Sequence, residues 1–240
     1  MMKKALWAAV SALSLAAVAT PASAATVMLK GSNSNTAITN FLTANGHTVV
    51  ANSNVYTGVD TVVLLRANGD AGLANFVLGG GTLVTEWSGA DWAMTNLLGG
   101  SVNGGGFVGT GTTVTFTAAG LAAGLGAGVG NSYSASNASE FFRTFNNLGT
   151  GTVLATRPGN IAAIVGGAAG NGYVVANGID WADSFGSTGA NNGQVLLNSI
   201  GARGMGAVPE PATWAMLILG MGVVGGAMRR RAQAVSFRFA

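Results

Sequence analysis

The sequence predicts an α/β domain: a mostly parallel β-sheet with helices on both faces and glycine-rich loops. Two observations carry that reading. Short β-branched apolar runs recur through the middle of the chain, most of them continuous rather than alternating, which suits strands buried on both faces. Between the early runs lie segments of helical spacing that end in helix stops, so strand and helix alternate three times. With 49% apolar residues in 240, the chain can bury a core. The abundance of Gly, Asn, Ser and Thr leaves one alternative open, an all-β surface domain.

In order, the predicted strands are 26–29, 48–50, 61–65, 82–85, 112–116, 152–155, 161–165 and 173–176. The first helix, 35–44, places Ile38, Phe41 and Leu42 on one face and stops at Asn45-Gly46. Asp70 caps a second helix carrying Leu73, Phe76, Val77 and Leu78, ended by Gly79-Gly80-Gly81. Ser88 or Asp91 opens a third, with Trp92, Leu97 and Leu98, that ends at Gly99-Gly100. The stretch 104–109 satisfies G-x-G-x-x-G, but with no clear strand before it and no helix after it, it reads as a loop. So does 120–130, whose glycines would cost a helix about 1 kcal/mol each.

Only 8% of the residues are charged, where about a quarter is usual. The absence of cysteine excludes disulfides, thiolate metal sites and cysteine nucleophiles, and a single histidine, His47, excludes any site needing two imidazoles. No cofactor and no metal site is expected. The net charge of +3 sits at the ends. Lys3 and Lys4 precede an apolar stretch and an Ala22-Ser23-Ala24 end, the pattern of a secretory signal peptide over residues 1–24 cleaved after Ala24. Near the other end, Val208-Pro209-Glu210-Pro211 precedes 17 uncharged residues, 212–228, and then Arg229-Arg230-Arg231. That length suits one short transmembrane helix, and the arginines orient it with its C-terminal side in the cytoplasm. Between these ends, 25–207 holds five basic and seven acidic residues, a net charge of −2, so nucleic acid is not an expected partner.

The Pro-Glu-Pro tripeptide at 209–211, the hydrophobic helix with Gly220, Gly222, Gly225 and Gly226, and the arginine cluster together resemble the PEP-CTERM sorting signal, over 206–240. A tail of nine residues after the arginines is longer than that pattern usually has. The resemblance implies export through signal peptidase and the Sec machinery, transient retention in the inner membrane, and processing near Pro209 by an exosortase. It also implies the cell surface or extracellular matrix, with exopolysaccharide and biofilm as the associated setting.

The exported domain, 25–205, resembles the class I glutamine amidotransferase-like, flavodoxin-like fold. The likeness rests on Gly46-His47-Thr48-Val49-Val50 leading into strand two, Val59-Asp60-Thr61-Val62-Val63-Leu64-Leu65 as strand three, and Phe76 to Val84 leading into strand four. Gly172-Tyr173-Val174-Val175, Gly178-Ile179-Asp180-Trp181 and the helix 191–200 resemble the late strand, its loop and the closing helix. The amidotransferase Cys, with its later His and Glu, does not carry over. The turn after strand four offers Glu86-Trp87-Ser88 instead, so the resemblance implies the scaffold without the activity.

The candidate ligand residues are Glu86, Trp87, Asp91, Trp92, Asp180 and Trp181. Glu86 reads as a strand-end acid paired with a backbone amide or solvent, and Trp87 and Trp92 as core aromatics. Asp180 and Asp183 flank Trp181 as a sugar or Ca²⁺ pair would, but two carboxylates fall short of a metal site, and Asp183 reads equally as a helix cap. Lys30, the only lysine of the exported part, is the one residue from which a lysine–asparagine isopeptide crosslink could start. The leading expectation is a non-enzymatic surface or matrix protein. The alternatives are a carbohydrate-binding module presenting Trp87, Trp92 or Trp181, and a hydrolase pairing Glu86 with Asp91 or Asp180, whose carboxyls would need to lie roughly 5–10 Å apart.

Overall fold

The apolar runs become strands whose two faces are both covered. The computed structural model describes residues 24–31, 36–108, 111–135, 140–183, 185, 191–202 and 220–221. Its first half comprises β1 (Thr26–Gly31), α1 (Thr36–Ala44), β2 (Thr48–Val50), β3 (Thr61–Leu65), α2 (Ala71–Leu78), β4 (Thr82–Glu86) and α3 (Gly89–Ala93), which continues as a π-helical turn, Met94–Leu98. There follow β5 (Ser101–Val108), β6 (Thr113–Phe116), α4 (Ala118–Ala122), β7 (Ser132–Ser134) and β8 (Glu140–Asn147). The last are β9 (Thr152–Arg157), β10 (Ile161–Ala169), β11 (Gly172–Asn177) and α5 (Asn192–Gly201).

Nine strands form one sheet in the order β2-β1-β3-β4-β11-β10-β9-β6-β7. The first five pair in parallel. Taking β11 as the fifth strand, this is the 2-1-3-4-5 order of flavodoxin-like sheets. Successive side chains serve opposite layers. Val63 and Leu65 pack with Val27, Leu29, Val84 and Val175 under Ile38 and Leu42 of α1 and Val195, Leu196 and Ile200 of α5. Val62 and Leu64 pack with Met28, Leu83 and Val174 under Leu73 and Val77 of α2 and Ala90 and Ala93 of α3. Period-2 alternation within continuous apolar runs is what a sheet with helices on both faces demands.

The rest of the sheet corrects the sequence reading. The strands expected at 112–116, 152–155 and 161–165 exist, but they pair antiparallel, as β6, β9 and β10. In β6 the burial alternates, exposed at Thr113 and Thr115 and buried at Val114 and Phe116, as a strand with one solvated face does. The stretch expected as a loop at 104–109 lies largely in β5, paired with β8 in a two-stranded ribbon. Its register shifts between Asn103 and Gly106. A Cβ at Gly105 would come within 2.0 Å of the Phe142 carbonyl oxygen, so the glycines serve a bulge there. Expected as a loop, 120–130 begins inside α4, with Thr117 Oγ1 accepting from the Gly120 amide, and continues as turns that bury Leu125.

The signal-peptide stretch 1–23, the motif residues Pro209, Glu210 and Pro211 and the cluster Arg229 to Arg231 lie outside the described residues. Of the expected span 212–228, only Gly220 and Met221 are described, and both are helical. Among the described residues no helix is long and apolar enough to cross a membrane.

Candidate functional site

Three neighbouring parallel strands, β3, β4 and β11, end at the same edge of the sheet, and each contributes a charged residue at or just beyond its end. Leu65 and Glu86 are partners in the β3–β4 register, which sets Arg66 beside Glu86 and Trp87. Both chains turn sharply there: Arg66 has φ +48° and Trp87 φ +42°, backbone that bulky residues rarely adopt. After β11, Ile179 bridges to Phe142 of β8, and the Asp180 amide donates to the Phe141 carbonyl at 2.9 Å. These contacts bring Asp180 over the end of β4.

Arg66 Nη2 donates to Asp180 Oδ1 and to Asp183 Oδ2. Its Nε lies 3.5 Å from Glu86 Oε1. Glu86 has no exposure at all, and neither of its oxygens receives a hydrogen bond. Burial, reinforced by Asp180 and only partly opposed by Arg66, pushes its carboxyl up to about 9, so at neutral pH it is a neutral acid able to donate toward Asp180. Burial alone would lower the Arg66 guanidinium, but its bonds to Asp180 and Asp183 more than offset that and raise it. A second ion pair lies beside the first: Arg143 Nε donates to Asp91 Oδ1 at 2.8 Å, and its Nη2 to Oδ2.

Trp87 stands between the two arginines, whose guanidinium carbons lie 5.3 Å (Arg66) and 5.7 Å (Arg143) from its ring. Phe141 follows at 6.0 Å from Trp87, and Phe107 at 5.6 Å from Phe141. An aromatic row thus runs from the acid cluster out along the β5–β8 ribbon, where Phe107 is 63% and Phe141 44% exposed.

The sequence-predicted residues divide accordingly. Glu86, Trp87, Asp180 and Asp91 come together; Trp181 and Trp92 do not join them. Trp181 is buried, and its indole N–H donates to the Thr85 carbonyl at 3.2 Å. Trp92 packs against the core layer under α2 and α3. Glu86 is not the solvated or amide-paired acid expected of a strand end: it is fully buried, on the face of β4 that Val84 shares, and neither oxygen has a hydrogen-bond partner. On the other face, Gly89 lets α3 approach β3 and β4 closely, since a Cβ there would lie 2.7 Å from the Leu64 carbonyl oxygen. Asp183 pairs with Arg66; the helix start that it was expected to cap falls on 184 and 186–190, which lie outside the described residues. His47 sits at the opposite end of the sheet, its Nδ1 accepting from the Ala25 amide at 3.2 Å. Among the described residues no three His, Asp or Glu side chains are placed to hold a metal ion.

Sequence reasoning missed Arg66, Arg143, Phe107 and Phe141. One signal was available for the arginines. In a domain this poor in charge, a strand-end acid flanked by apolar runs needs a cation, and 25–207 contains only five basic residues.

Turn and strand ends have the geometry of an elbow, with Trp87 at the strained residue between strand and helix. Solved structures share the fold at low identity. A protein from Bacteroides uniformis described as ThuA-like is 12% identical, covers 76% of this chain and 93% of its own, and has a TM-score of 0.52. One from Thermoplasma acidophilum described as a GMP synthase component is 12% identical, with 74% and 94% covered and a TM-score of 0.52. A second ThuA-like protein, from Parabacteroides merdae, is 13% identical, with 77% and 92% covered and a TM-score of 0.51. These likenesses agree with the amidotransferase-like fold and speak to fold alone. No curated protein matches the chain. Residues 207–231 match the PEP-CTERM protein-sorting motif, and the chain is therefore a bearer of that sorting signal whose preceding region folds as a mixed α/β domain.

Proposed function

We propose that this is an exported cell-surface or matrix protein, sorted and cleaved by an exosortase, associated with exopolysaccharide, and without catalysis of its own. Its parts are a signal peptide over 1–24, the exported domain over 25–205 and the sorting segment over 206–240. The match at 207–231 supports the sorting. The observation that carries the non-catalytic reading is the occupant of the elbow. A nucleophile there would be presented to substrate, whereas Trp87 offers an indole with the guanidinium groups of Arg66 and Arg143 at 5.3 and 5.7 Å from its ring. The acid with the most shifted proton, Glu86, is sealed from solvent, and Asp180 is held by Arg66. A two-carboxylate hydrolysis needs both groups in reach of one glycosidic oxygen and water, which a sealed Glu86 is not.

Fractionation of cells with and without their exosortase tests this reading. A shortened form at the surface or in the matrix is expected only with the enzyme present. Full-length protein confined to the inner membrane of the exosortase-active strain would overturn it.

A carbohydrate-binding role is the second reading, favoured by the exposed pair Phe107 and Phe141 that continues the aromatic row from Trp87. Flat, exposed apolar rings suit a sugar, whose C–H face stacks on them. Titration of the purified domain with the organism's own polysaccharide tests it by tryptophan emission. A saturable change supports the role, and an unchanged spectrum counts against it.

A further inference from the structure

A second polar cluster lies at the same edge of the sheet, at the end of β1, apart from the acid site. Lys30, at the end of β1, is 9% exposed. Its Nζ lies 2.6 Å from Asn54 Oδ1, 3.3 Å from the Ser53 carbonyl and 3.2 Å from Asp70 Oδ2. The ring of Tyr56 covers the amine at 5.7 Å. Asp70 is held in place by the Leu73 amide at 2.8 Å on Oδ1 and by the Tyr56 hydroxyl at 3.0 Å on Oδ2. An amine, a carboxamide and a carboxylate thus converge in a shielded spot. The amide carbon lies one C=O bond, about 1.2 Å, behind the oxygen the amine already touches.

We propose that Lys30 and Asn54 join in an intramolecular isopeptide bond, formed with loss of ammonia. The Asp70 carboxylate accepts a proton from the Lys30 ammonium, and the freed Nζ lone pair attacks Asn54 Cγ to form the new C–N bond. Asp70 then returns that proton to Nδ2 and accepts the second proton that Nζ sheds on becoming an amide; the Cγ–Nδ2 bond breaks, and the ammonia that leaves carries that proton off as ammonium. Amine and primary amide become secondary amide and ammonia, with no change of oxidation state and no co-reactant. Asp70 is lowered: burial raises it, but the Leu73 amide, Lys30 and Tyr56 more than offset that. The first proton transfer is therefore uphill, so the reaction is slow near neutrality and faster as pH rises. A bond made once per molecule tolerates a slow step. Its structural effect is to tie the β2–β3 connection, which has no helix or strand of its own over 51–60, to the core strand β1. An exported chain without cysteine has no disulfide with which to do this.

Peptide mass spectrometry of the full chain decides the matter. The folded protein is kept at about pH 9, then denatured and digested with trypsin beside a fresh sample. With the bond present, trypsin does not cut after Lys30, and the peptide running through Lys30 and Asn54 to Arg66 is lighter than its sequence by about 17 Da, the mass of ammonia. Lys30→Arg and Asn54→Ala should each abolish that mass loss. Cleavage after Lys30 with the sequence mass unchanged in the incubated wild type would overturn the proposal. A loss that persists in Lys30→Arg would overturn it too, since it would belong to succinimide at an Asn-Gly step such as Asn45-Gly46.

Discussion

Arg66 and Glu86 meet across the ends of two adjacent parallel strands, Nε to Oε1 at 3.5 Å, yet the arginine gives its hydrogen bonds to Asp180 and Asp183 instead. One cation thus serves three acids. Burial leaves a proton on Glu86, which has no exposure.

That proton makes stability depend on pH. An unfolded Glu titrates near about 4.3, and the folded group far above it, at about 9. Between those values the native state holds a proton the unfolded chain lacks, so the contribution is complete below the lower value and is lost as pH rises toward the upper one. Glu86→Gln should flatten the decline, by up to about 1.4 kcal/mol per pH unit across that window. Denaturant unfolding of both proteins from pH 5 to 10 checks this, and parallel profiles would contradict it.

Removing the cation should be costly. Arg66→Met leaves Asp180 buried without its charge partner, and should destabilise by roughly 2–4 kcal/mol, given that Arg66 is itself a quarter exposed. Asp183→Ala should cost under about 1 kcal/mol, because half of that side chain is already solvated. Equal losses in chemical denaturation would mean the network is not organised around Asp180.

Gly89→Ala tests the elbow. The added methyl would sit 2.7 Å from the Leu64 carbonyl oxygen, against backbone that cannot rotate away. A destabilisation of about 2 kcal/mol or more is expected, with a lowered thermal midpoint. A neutral substitution would show that α3 does not pack against β3 as described.

The aromatic row predicts a ligand contact. Phe107→Ala and Phe141→Ala should each weaken binding to the organism's polysaccharide about tenfold, near 1.4 kcal/mol, by isothermal titration. Trp92→Phe, on a residue packed into the core layer, should leave that affinity unchanged.

The parallel half of the fold was legible because burial on both faces leaves its mark in composition: TVVLL at β3 has no other comfortable environment, and Asp70 with Leu73 announces its helix. The β5–β8 ribbon was not. Its residues, SVNGGGFV and EFFRTFNN, mix glycine, polar and exposed aromatic residues, and its pairing is fixed by contacts between distant segments. The candidate site was half legible. Glu86, Asp91 and Asp180 announce themselves as rare charges at element ends, but Arg66 reaches Asp180 across 114 residues, and nothing local encodes that choice. Trp181 and Trp92 show the converse: an aromatic beside an acid looks like a sugar platform in sequence, while Trp181 in the loop after β11 is buried and Trp92 on α3 packs against the core layer.

The central claim, an exported protein sorted by its C-terminal motif, is tested most directly by the C-terminal sequence of the mature form, read by mass spectrometry from surface or matrix fractions. The account predicts a chain that ends near Pro209 and lacks Arg229 to Arg231 when the exosortase is active, and a full-length membrane-bound chain when it is deleted. A mature surface protein that still carries the arginine cluster would contradict it.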